Sequence, residues 1–224
     1  MKGKLIVIEG TDCSGKETQT KLLLKKLNEK QIETKYFSYP NYASPTGKII
    51  GGPYLGKKEI GEGWFKEGAT LVDPYVASLY YAADRRYNYQ DILNLLNKGI
   101  NVILDRYVYS NMAHQAGKFL NKTEREKMYH FLDELEFNLL ELPIPDLKIF
   151  LDMPVEYAKI LKENRVNIDE HESNEEYLKQ AYLTYKEIAK LYQFKTIECV
   201  KDGKIRSIES INDELCEYIF TEVS

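Results

Sequence analysis

The sequence lacks the features of a secreted, zinc-binding or membrane-spanning protein. Its three cysteines, Cys13, Cys199 and Cys216, form no C-x-x-C pair and have no histidine cluster nearby, so we expect neither a disulfide framework nor a zinc site. No apolar run approaches the roughly 20 residues that span a bilayer, and Glu9 interrupts the first run before a signal-peptide core forms. These absences predict a cytoplasmic protein without membrane contact.

An excess of charge of one sign is also missing. The formal net charge of the 224 residues is −4 with both signs interspersed, which excludes a strongly basic surface for nucleic acid or a polybasic membrane contact. Hydrophobic residues make up 43% and charged residues 29%, as in ordinary globular proteins. We expect a single domain over residues 1–224, in which a few local cations bind any anionic substrate.

Short apolar runs alternate with helical patterns along the chain. Five runs predict strands, at 5–8, 36–39, 101–104, 147–151 and 194–200, and the first and third of them are predicted to be buried. Helices are predicted after the glycine loop that follows the first run, then at 73–98, from Thr123 with its capping partner Glu126, and at 154–165, 174–192 and 205–220. Strands buried on both faces that alternate with helices form parallel sheets. We therefore predict a three-layer α/β fold, a five-stranded parallel sheet flanked by helices.

The most specific motif is a glycine loop between the first strand and the next helix. Gly10-x4-Gly15-Lys16 has the spacing and setting of a phosphate-binding P-loop, in which backbone N–H groups and a helix N-terminus face the phosphates. Lys16 adds a cation, and an ordinary glycine turn is the weaker alternative in this setting. The residues assigned to nucleotide binding are Gly10, Thr11, Asp12, Cys13, Ser14, Gly15, Lys16, Glu17 and Thr18.

Glu17 departs from the usual pattern, which has Ser or Thr after the lysine to ligate Mg²⁺. Either Glu17 approaches the magnesium ion, directly or through water, or it is an acid favoured at a helix N-terminus and the ion depends on Asp105 and solvent. Asp12 would repel a phosphate unless it faces another partner, and a sugar hydroxyl would suit it. Cys13 is interpreted as a neutral loop filler in preference to a reactive thiol.

A second charged site follows the third predicted strand. Asp105-Arg106-Tyr107 ends this strand, and the carboxyl ends of parallel strands share one edge, so the site lies beside the glycine loop. Arg106 can hold a second phosphate bidentately and Asp105 can orient magnesium, whereas the alternative is a buried structural ion pair. Two phosphate-binding elements at one edge favour phosphoryl transfer from a donor to a phosphorylated acceptor.

Five segments, in this order, resemble the thymidylate kinase family: IEGTDCSGKETQ at 8–19, YP at 39–40, YYAADR at 80–85, DRYVYSN at 105–111 and R-x-x-x-D-x-x-E at 165–172. The resemblance extends over about residues 4–190 and implies a P-loop kinase fold with a short lid at about 158–174. It also implies transfer of the γ-phosphoryl group of ATP, with Mg²⁺, to dTMP in dTTP biosynthesis, and a homodimer.

The resemblance further implies roles for individual residues. At the phosphate end, Lys16 would bind the donor phosphates, Arg106 the acceptor phosphate and Asp105 the magnesium ion. Arg165, with Lys162 beside it, would be the lid cation. The implied substrate residues are Asp12 at the 3′-hydroxyl, Tyr81 stacked on thymine, Arg85 at its O4, Asn111 or Gln115 at its N3 edge, Ser110 beside the base, and Tyr39 and Pro40.

Simpler alternatives are open for several of these residues. Tyr81 also fits the core side of the 73–98 helix, and Ser110 fits a helix N-cap. Arg85 and Arg86 fit a solvated pair, although we expect Arg85 to face the pocket. Lys162 fits a solvated lysine.

The chain has fewer cations than the family pattern. Tyr42 stands near the position of an acceptor-phosphate arginine in some members, no arginine replaces Cys13 or Ser14, and the lid segment 169–172 reads D-E-H-E. Removing one such cation typically costs about 10³-fold in rate, so we expect slow turnover or a compensating residue. Two other hypotheses are open: a kinase for another acceptor, either a nucleoside or another monophosphate, and a nucleotide sensor without phosphoryl transfer.

Overall fold

One parallel sheet organises the protein, whose computed structural model describes residues 2–162 and 175–223. The strands of this sheet are β1 (Leu5–Glu9), β2 (Thr34–Ser38), β3 (Asn101–Asp105), β4 (Leu147–Asp152) and β5 (Lys195–Glu198). They follow the order β2-β3-β1-β4-β5 and all pair in parallel. The predicted α/β class and its five strands are therefore confirmed.

Helices connect the strands and cover the sheet. They are α1 (Lys16–Glu29), α2 (Pro45–Ile49), α3 (Pro74–Asn97), α4 (Val108–Asn111), α5 (Lys122–Leu132), α6 (Val155–Lys162), α7 (Glu175–Leu191) and α8 (Ile208–Val223). Helices α2, α4 and α5 continue as π-helical turns at Ile50–Tyr54, Met112–Ala116 and Asp133–Leu139. The helix predicted at 73–98 is confirmed as α3, because the Asp73 side chain caps it by accepting the N–H groups of Tyr75 and Val76.

Several predicted boundaries are wrong. The second strand occupies 34–38 and not 36–39, and the last helix begins at Ile208 and not at 205, because Ile205 lies in a short strand. Helix α5 begins at Lys122, since its N-cap is Asn121, whose side-chain oxygen accepts the N–H of Thr123 at 2.8 Å. The fifth strand ends at Glu198, and β6 (Val200–Lys201) then pairs antiparallel with β7 (Lys204–Ile205). Between β6 and β7, an Asp-Gly pair has φ values of 51° and 70°. This pair makes a tight hairpin turn, which takes precedence over the apolar run.

Both faces of the sheet are packed. Leu5 and Val7 of β1 enter an apolar cluster with α3, α4, α5 and α7, whereas Ile6 and Ile8 enter a second cluster with α1 and α8. Each fully buried aliphatic side chain of this kind contributes about 1.5–3 kcal/mol. The two clusters confirm the three layers, and they leave the strand ends at one edge to carry polar groups.

Some expectations concern segments at the limit of the described residues. The lid predicted at 158–174 begins within α6, but most of it, including Arg165, lies outside the described residues. Lys162 is the last residue of α6. Within 2–162 and 175–223, none of the helices combines the length and apolar character needed to cross a membrane.

Candidate active site

A cavity of about 550 Å³ opens at the carboxyl edge of the sheet. Ile8 of β1 pairs with Asp105 of β3, so the glycine loop and the Asp105-Arg106 turn, which follow these strands, are neighbours. The cavity lining includes every residue predicted to bind substrate: Asp12, Tyr39, Pro40, Tyr81, Arg85, Arg106, Ser110, Asn111 and Gln115. The fold thus brings together positions that are far apart in the sequence.

The glycine loop joins β1 to the N-terminus of α1. Gly15 has a left-handed φ of 83° at the helix N-cap, and a Cβ on Gly10 would lie only 2.6 Å from the Ser14 hydroxyl oxygen. The Lys16 Nζ donates to the carbonyl oxygens of Gly10 and Thr11, both at 2.9 Å. Burial lowers the pKa of Lys16, as does the charge of Arg106. An ammonium group has three N–H donors, so two bonds to the loop leave one for a ligand.

Glu17 lies on the solvent side of the first turn of α1. Its carboxylate accepts a hydrogen bond from Lys21 Nζ at 2.6 Å, and 59% of its side chain is exposed. Thr18 is also exposed. This geometry suits the interpretation of Glu17 as an acid favoured at a helix N-terminus. Its role as a magnesium ligand stays a prediction.

The carboxylate of Asp105 fits a magnesium site. Its Oδ2 accepts a hydrogen bond from the Tyr36 hydroxyl at 3.4 Å, whereas its buried Oδ1 has no partner among the described residues. Mg²⁺ prefers oxygen ligands and keeps several waters, usually with one or two carboxylates and substrate phosphates. In the described part of the chain no cluster of three or more metal-ligating side chains occurs, so such an ion would rely on water and phosphates.

Arg106 points into the same cavity from a strained turn. Its φ is 68°, in the left-handed region that non-glycine residues rarely adopt. Its Nη2 pairs with Asp12, and its Nη1 donates to the Tyr185 hydroxyl at 3.1 Å and the Ser110 hydroxyl at 3.2 Å. Burial alone would lower the pKa of Arg106, but the charge of Asp12 leads those that raise it well above its ordinary value. The partner that Asp12 was expected to need is therefore Arg106.

Glu9, at the end of β1, holds this turn in place, and the sequence analysis assigned it no role. It is fully buried and accepts hydrogen bonds from the backbone N–H groups of Tyr107 at 2.8 Å and Ser110 at 3.1 Å. Its Oε2 accepts from the Ser110 hydroxyl at 2.6 Å and the Tyr185 hydroxyl at 3.1 Å. Burial raises the pKa of Glu9. The only sequence signal is a carboxylate at the last position of a buried strand.

Buried polar side chains form another part of the cavity lining. Arg85 is 2% exposed and makes two bonds to Glu136, Nε to Oε2 at 2.5 Å and Nη2 to Oε1 at 2.7 Å. The Asn111 amide nitrogen donates to Glu136 Oε1 at 3.0 Å and to the carbonyl of Ser78 at 3.1 Å. Among the described residues, neither polar atom of the Gln115 amide has a partner. Glu136 was not predicted, because nothing in its local sequence marks it.

The neighbouring Arg86 does not line the cavity. Its Nη1 donates to the carbonyl of Leu140 at 3.0 Å, and its guanidinium lies 4.1 Å from the centroid of the Tyr89 ring. The interpretation of Arg85 and Arg86 as a solvated pair is therefore wrong. Of the two, Arg85 faces the pocket, as expected.

Aromatic rings and one further cation complete the walls. Tyr81 is half-buried and packs edge-on against Tyr54, with ring centroids 5.8 Å apart. Lys57 Nζ lies 5.5 Å from the centroid of the Tyr42 ring, and both residues line the cavity. Lys57 was not predicted, since it lies in an irregular segment without a motif. It places a cation beside the position where some family members have arginine.

A polar cluster on α3 fixes the loop that carries Tyr42. The Asp84 carboxylate accepts hydrogen bonds from the N–H of Asn41 at 2.8 Å and from the hydroxyls of Ser44 at 3.0 Å and Thr46 at 2.7 Å. Asp84 is 1% exposed, so these bonds satisfy a buried charge. The cluster links the cavity wall at 41–46 rigidly to α3.

Comparison with known proteins gives consistent results. A sequence model of the thymidylate kinase family matches residues 8–210. The thymidylate kinase of Plasmodium falciparum is 32% identical over 219 residues, which cover 97% of this chain and 90% of that protein. The probable thymidylate kinase of Methanocaldococcus jannaschii is 31% identical over 214 residues, covering 96% and 94%. A solved structure of Candida albicans thymidylate kinase superimposes with a TM-score of 0.75 at 28% identity, covering 99% of this chain and 92% of that one.

Proposed function

The chain belongs to the thymidylate kinase family, and we propose that it transfers the γ-phosphoryl group of ATP to dTMP, giving ADP and dTDP for dTTP synthesis. One observation carries this proposal: a single cavity is lined both by Arg106, which pairs with Asp12 of the glycine loop, and by the buried amides of Asn111 and Gln115. A nucleoside monophosphate has the same polarity, with an anion at one end and a base edge at the other. A phosphate ligand without a base would leave those amides unpaired, at about 1–3 kcal/mol per group.

In this scheme the glycine loop binds the donor phosphates. The N–H groups at the N-terminus of α1 carry a partial positive charge, and Lys16 Nζ lies across the loop. The acceptor phosphate approaches from the cavity side, where Arg106 lies. Its oxygen is already anionic, so the transfer needs positioning and charge neutralisation more than a general base.

Asp105 would hold the magnesium ion through its unpartnered Oδ1. Bound there, Mg²⁺ would neutralise charge on the phosphate oxygens. The protein contributes the orientation of this carboxylate, because the Tyr36 hydroxyl fixes its other oxygen. Glu17 is not needed as a ligand in this arrangement, since its carboxylate is bonded to Lys21.

Arg106 would bind the acceptor phosphate, and Asp12 orients it before the substrate arrives. A guanidinium has five N–H donors, so Arg106 can keep its bond to Asp12 and still donate to phosphate oxygens. Lys57 is a second cation in the cavity wall, beside Tyr42. We propose it as the residue that compensates for the missing arginine.

The base would lie at the end of the cavity formed by α3 and the segment after α4. Tyr81 offers a ring to stack on thymine, and Asn111 and Gln115 offer hydrogen-bonding atoms without protein partners among the described residues. Arg85 supplies a donor for the base O4. A buried arginine and two amides suit a base edge with carbonyl and N–H groups.

Coupled ADP release with ATP and Mg²⁺ tests the proposal, using dTMP, dUMP, UMP, AMP and thymidine as acceptors. We expect turnover with dTMP and little with thymidine, because Arg106 requires an anionic acceptor. No turnover with dTMP contradicts the proposal. A preference for thymidine would indicate a nucleoside kinase, and tight ATP binding without any transfer would indicate a sensor.

We also propose a homodimer. Helix α3 has an exposed apolar stripe, in which Val76 is 42%, Leu79 50% and Tyr87 61% exposed. Exposed apolar side chains on one helical face favour burial against a second copy. Analytical ultracentrifugation checks this: we expect a dimer for the natural chain and a monomer for Leu79→Glu, and a monomeric natural chain contradicts the proposal.

A cytoplasmic location is a further proposal. Cys13, Cys199 and Cys216 are buried and form no disulfide with one another. Cysteines outside disulfides suit a reducing compartment, where disulfides are rare. Fractionation of the source cells checks this location, and recovery outside the cytoplasmic fraction contradicts it.

A further inference from the structure

We propose that Glu136 sets the hydrogen-bond polarity of the base end of the cavity, so that the enzyme accepts thymine and uracil edges and rejects a cytosine edge. Glu136 would act through Arg85 and Asn111, as a positioning residue that determines specificity. The inference rests on the proposed function, since it assumes a pyrimidine monophosphate as acceptor. It assigns a purpose to a buried carboxylate that does not line the cavity itself.

The first step is that Glu136 fixes Arg85. Both side chains are buried, at 0% and 2% exposure, and two parallel bonds of 2.5 Å and 2.7 Å join them. A bidentate pair of this kind holds the guanidinium plane in one orientation. The Nη1 of Arg85 makes only a long bond of 3.4 Å to the carbonyl of Tyr107, so it remains able to donate to a ligand. Because arginine has no acceptor, this group is a donor only.

The second step is that Glu136 fixes which way the Asn111 amide points. One end of this amide faces Glu136 Oε1 at 3.0 Å and the carbonyl oxygen of Ser78 at 3.1 Å. Both of those atoms are acceptors, so the end facing them must be the NH₂ group. The other end, Oδ1, is buried and has no partner among the described residues. Asn111 therefore offers the cavity an acceptor.

The third step compares these groups with the two pyrimidine edges. Thymine and uracil present a carbonyl at C4 and an N–H at N3, which match a donor from Arg85 and an acceptor from Asn111. Cytosine presents an amino group at C4 and an acceptor at N3, so donor would face donor and acceptor would face acceptor. A site with fixed polar groups rejects such a mismatch strongly. Gln115 does not determine the choice between these bases. Its amide has no partner among the described residues, so it can turn to suit either edge.

Glu136 is suited to this task because a carboxylate has only acceptors. A glutamine at this position would offer one acceptor and one donor. Its NH₂ group would then oppose either the guanidinium of Arg85 or the NH₂ of Asn111. In either case one of these two groups loses its fixed orientation, so the cavity no longer holds both a donor and an acceptor against a thymine edge.

The test measures kcat/KM for dTMP, dUMP and dCMP in the natural chain and in Glu136→Gln, with ATP and Mg²⁺. We expect the ratio of dTMP to dCMP to fall at least about 10-fold in Glu136→Gln, which corresponds to about 1.4 kcal/mol of lost discrimination. Glu136→Asp keeps two acceptors and is expected to keep most of the ratio, even where it lowers stability. A purely structural role would lower both rates together and leave the ratio unchanged.

Glu187→Gln is the matched control. Glu187 forms a second bidentate pair, with Arg125 at 2.9 Å and 2.7 Å, and neither residue lines the cavity. This variant is expected to lose some stability without a change in base selectivity. If Glu136→Gln does not fold by circular dichroism, the double variant Arg85→Met with Glu136→Met is compared with Arg85→Met alone. A lower ratio is expected in the double variant, because only that variant also releases Asn111.

The outcomes separate the two proposals. An unchanged ratio of dTMP to dCMP in Glu136→Gln, or equal ratios in the double variant and in Arg85→Met alone, overturns the role of Glu136. A natural chain that phosphorylates dCMP as well as dTMP also overturns it. A natural chain that phosphorylates none of the three overturns the proposed function instead.

Discussion

The groups proposed to bind phosphates lie in two short stretches, 10–18 and 105–106, each directly after a strand. The base end is instead assembled from α3, the segment after α4 and the turn after α5. Phosphates are recognised by backbone N–H groups and local cations, which a contiguous motif can encode. A base edge is recognised by side chains whose orientation other buried residues must fix, and those lie far away in the sequence.

Among the variants that test this comparison, Lys16→Ala is expected to have the largest effect on activity. Lys16→Ala removes the cation that lies across the glycine loop, and we expect kcat to fall about 10³-fold. Initial rates at saturating ATP and dTMP measure this. Lys21→Ala is the control, since Lys21 is exposed on the same helix. Equal rates for both variants would mean that the loop does not bind the transferring phosphates.

Arg106→Ala is expected to have the next largest effect. It removes the proposed contact to the acceptor phosphate and leaves Asp12 without its partner, so we expect kcat/KM for dTMP to fall about 10²-fold or more. The KM for ATP should change little. Arg86→Ala provides the control outside the cavity. A matching rise in the KM for ATP would show that Arg106 also contributes to ATP binding.

Tyr185→Phe tests whether the positioning of Arg106 matters. The Tyr185 hydroxyl bonds to Arg106, Glu9 and Ser110, so its loss should loosen the guanidinium and raise the KM for dTMP about 10-fold. Steady-state kinetics with both substrates give the split between KM and kcat. Tyr182→Phe is the matched control on the same helix, because that hydroxyl donates to Asp152 at 2.8 Å. An equal rise in both variants would indicate a general effect on α7.

The smallest effect is expected for Glu17→Ser. Its carboxylate is largely exposed and bonded to Lys21, so we expect activity within about twofold of the natural chain, at most a few tenths of a kcal/mol. Rates measured across a magnesium titration check this. A loss as large as that of Lys16→Ala, or a strong shift in the magnesium requirement, would make Glu17 a metal ligand.

Much of the fold was predictable because local physics decides it. Five apolar runs became five strands. The central strands β1, β3 and β4 are buried on both faces or nearly so, as a parallel sheet covered by helices requires, whereas the edge strands β2 and β5 are partly exposed. The boundaries at Asn121 and after Glu198 depended on a choice between two adequate local signals. The Asn121 cap and the hairpin turn are themselves local, but a competing capping box and an apolar run hid them in the sequence.

The residues that line the site could be predicted from the sequence, but the contacts that fix their orientation could not. All nine predicted substrate residues line one cavity, but their partners were missed. Glu9, Glu136 and Lys57 belong to no motif, and their importance comes from burial or position beside distant residues. The left-handed turn at Arg106 was equally unforeseen, because Glu9 stabilises it from another strand.

By itself the sequence determined the α/β class, the phosphate-binding loop and the arginine beside it, because each depends on spacing along a few consecutive residues. Only the tertiary structure decided which atoms of those residues face a ligand. Glu136 sets the orientation of Arg85, 51 positions away, and of the Asn111 amide, 25 positions away. Asp12, 94 positions away, pairs with the Arg106 guanidinium. Such contacts follow from how the chain packs, since a buried charge must find its partners wherever the fold supplies them.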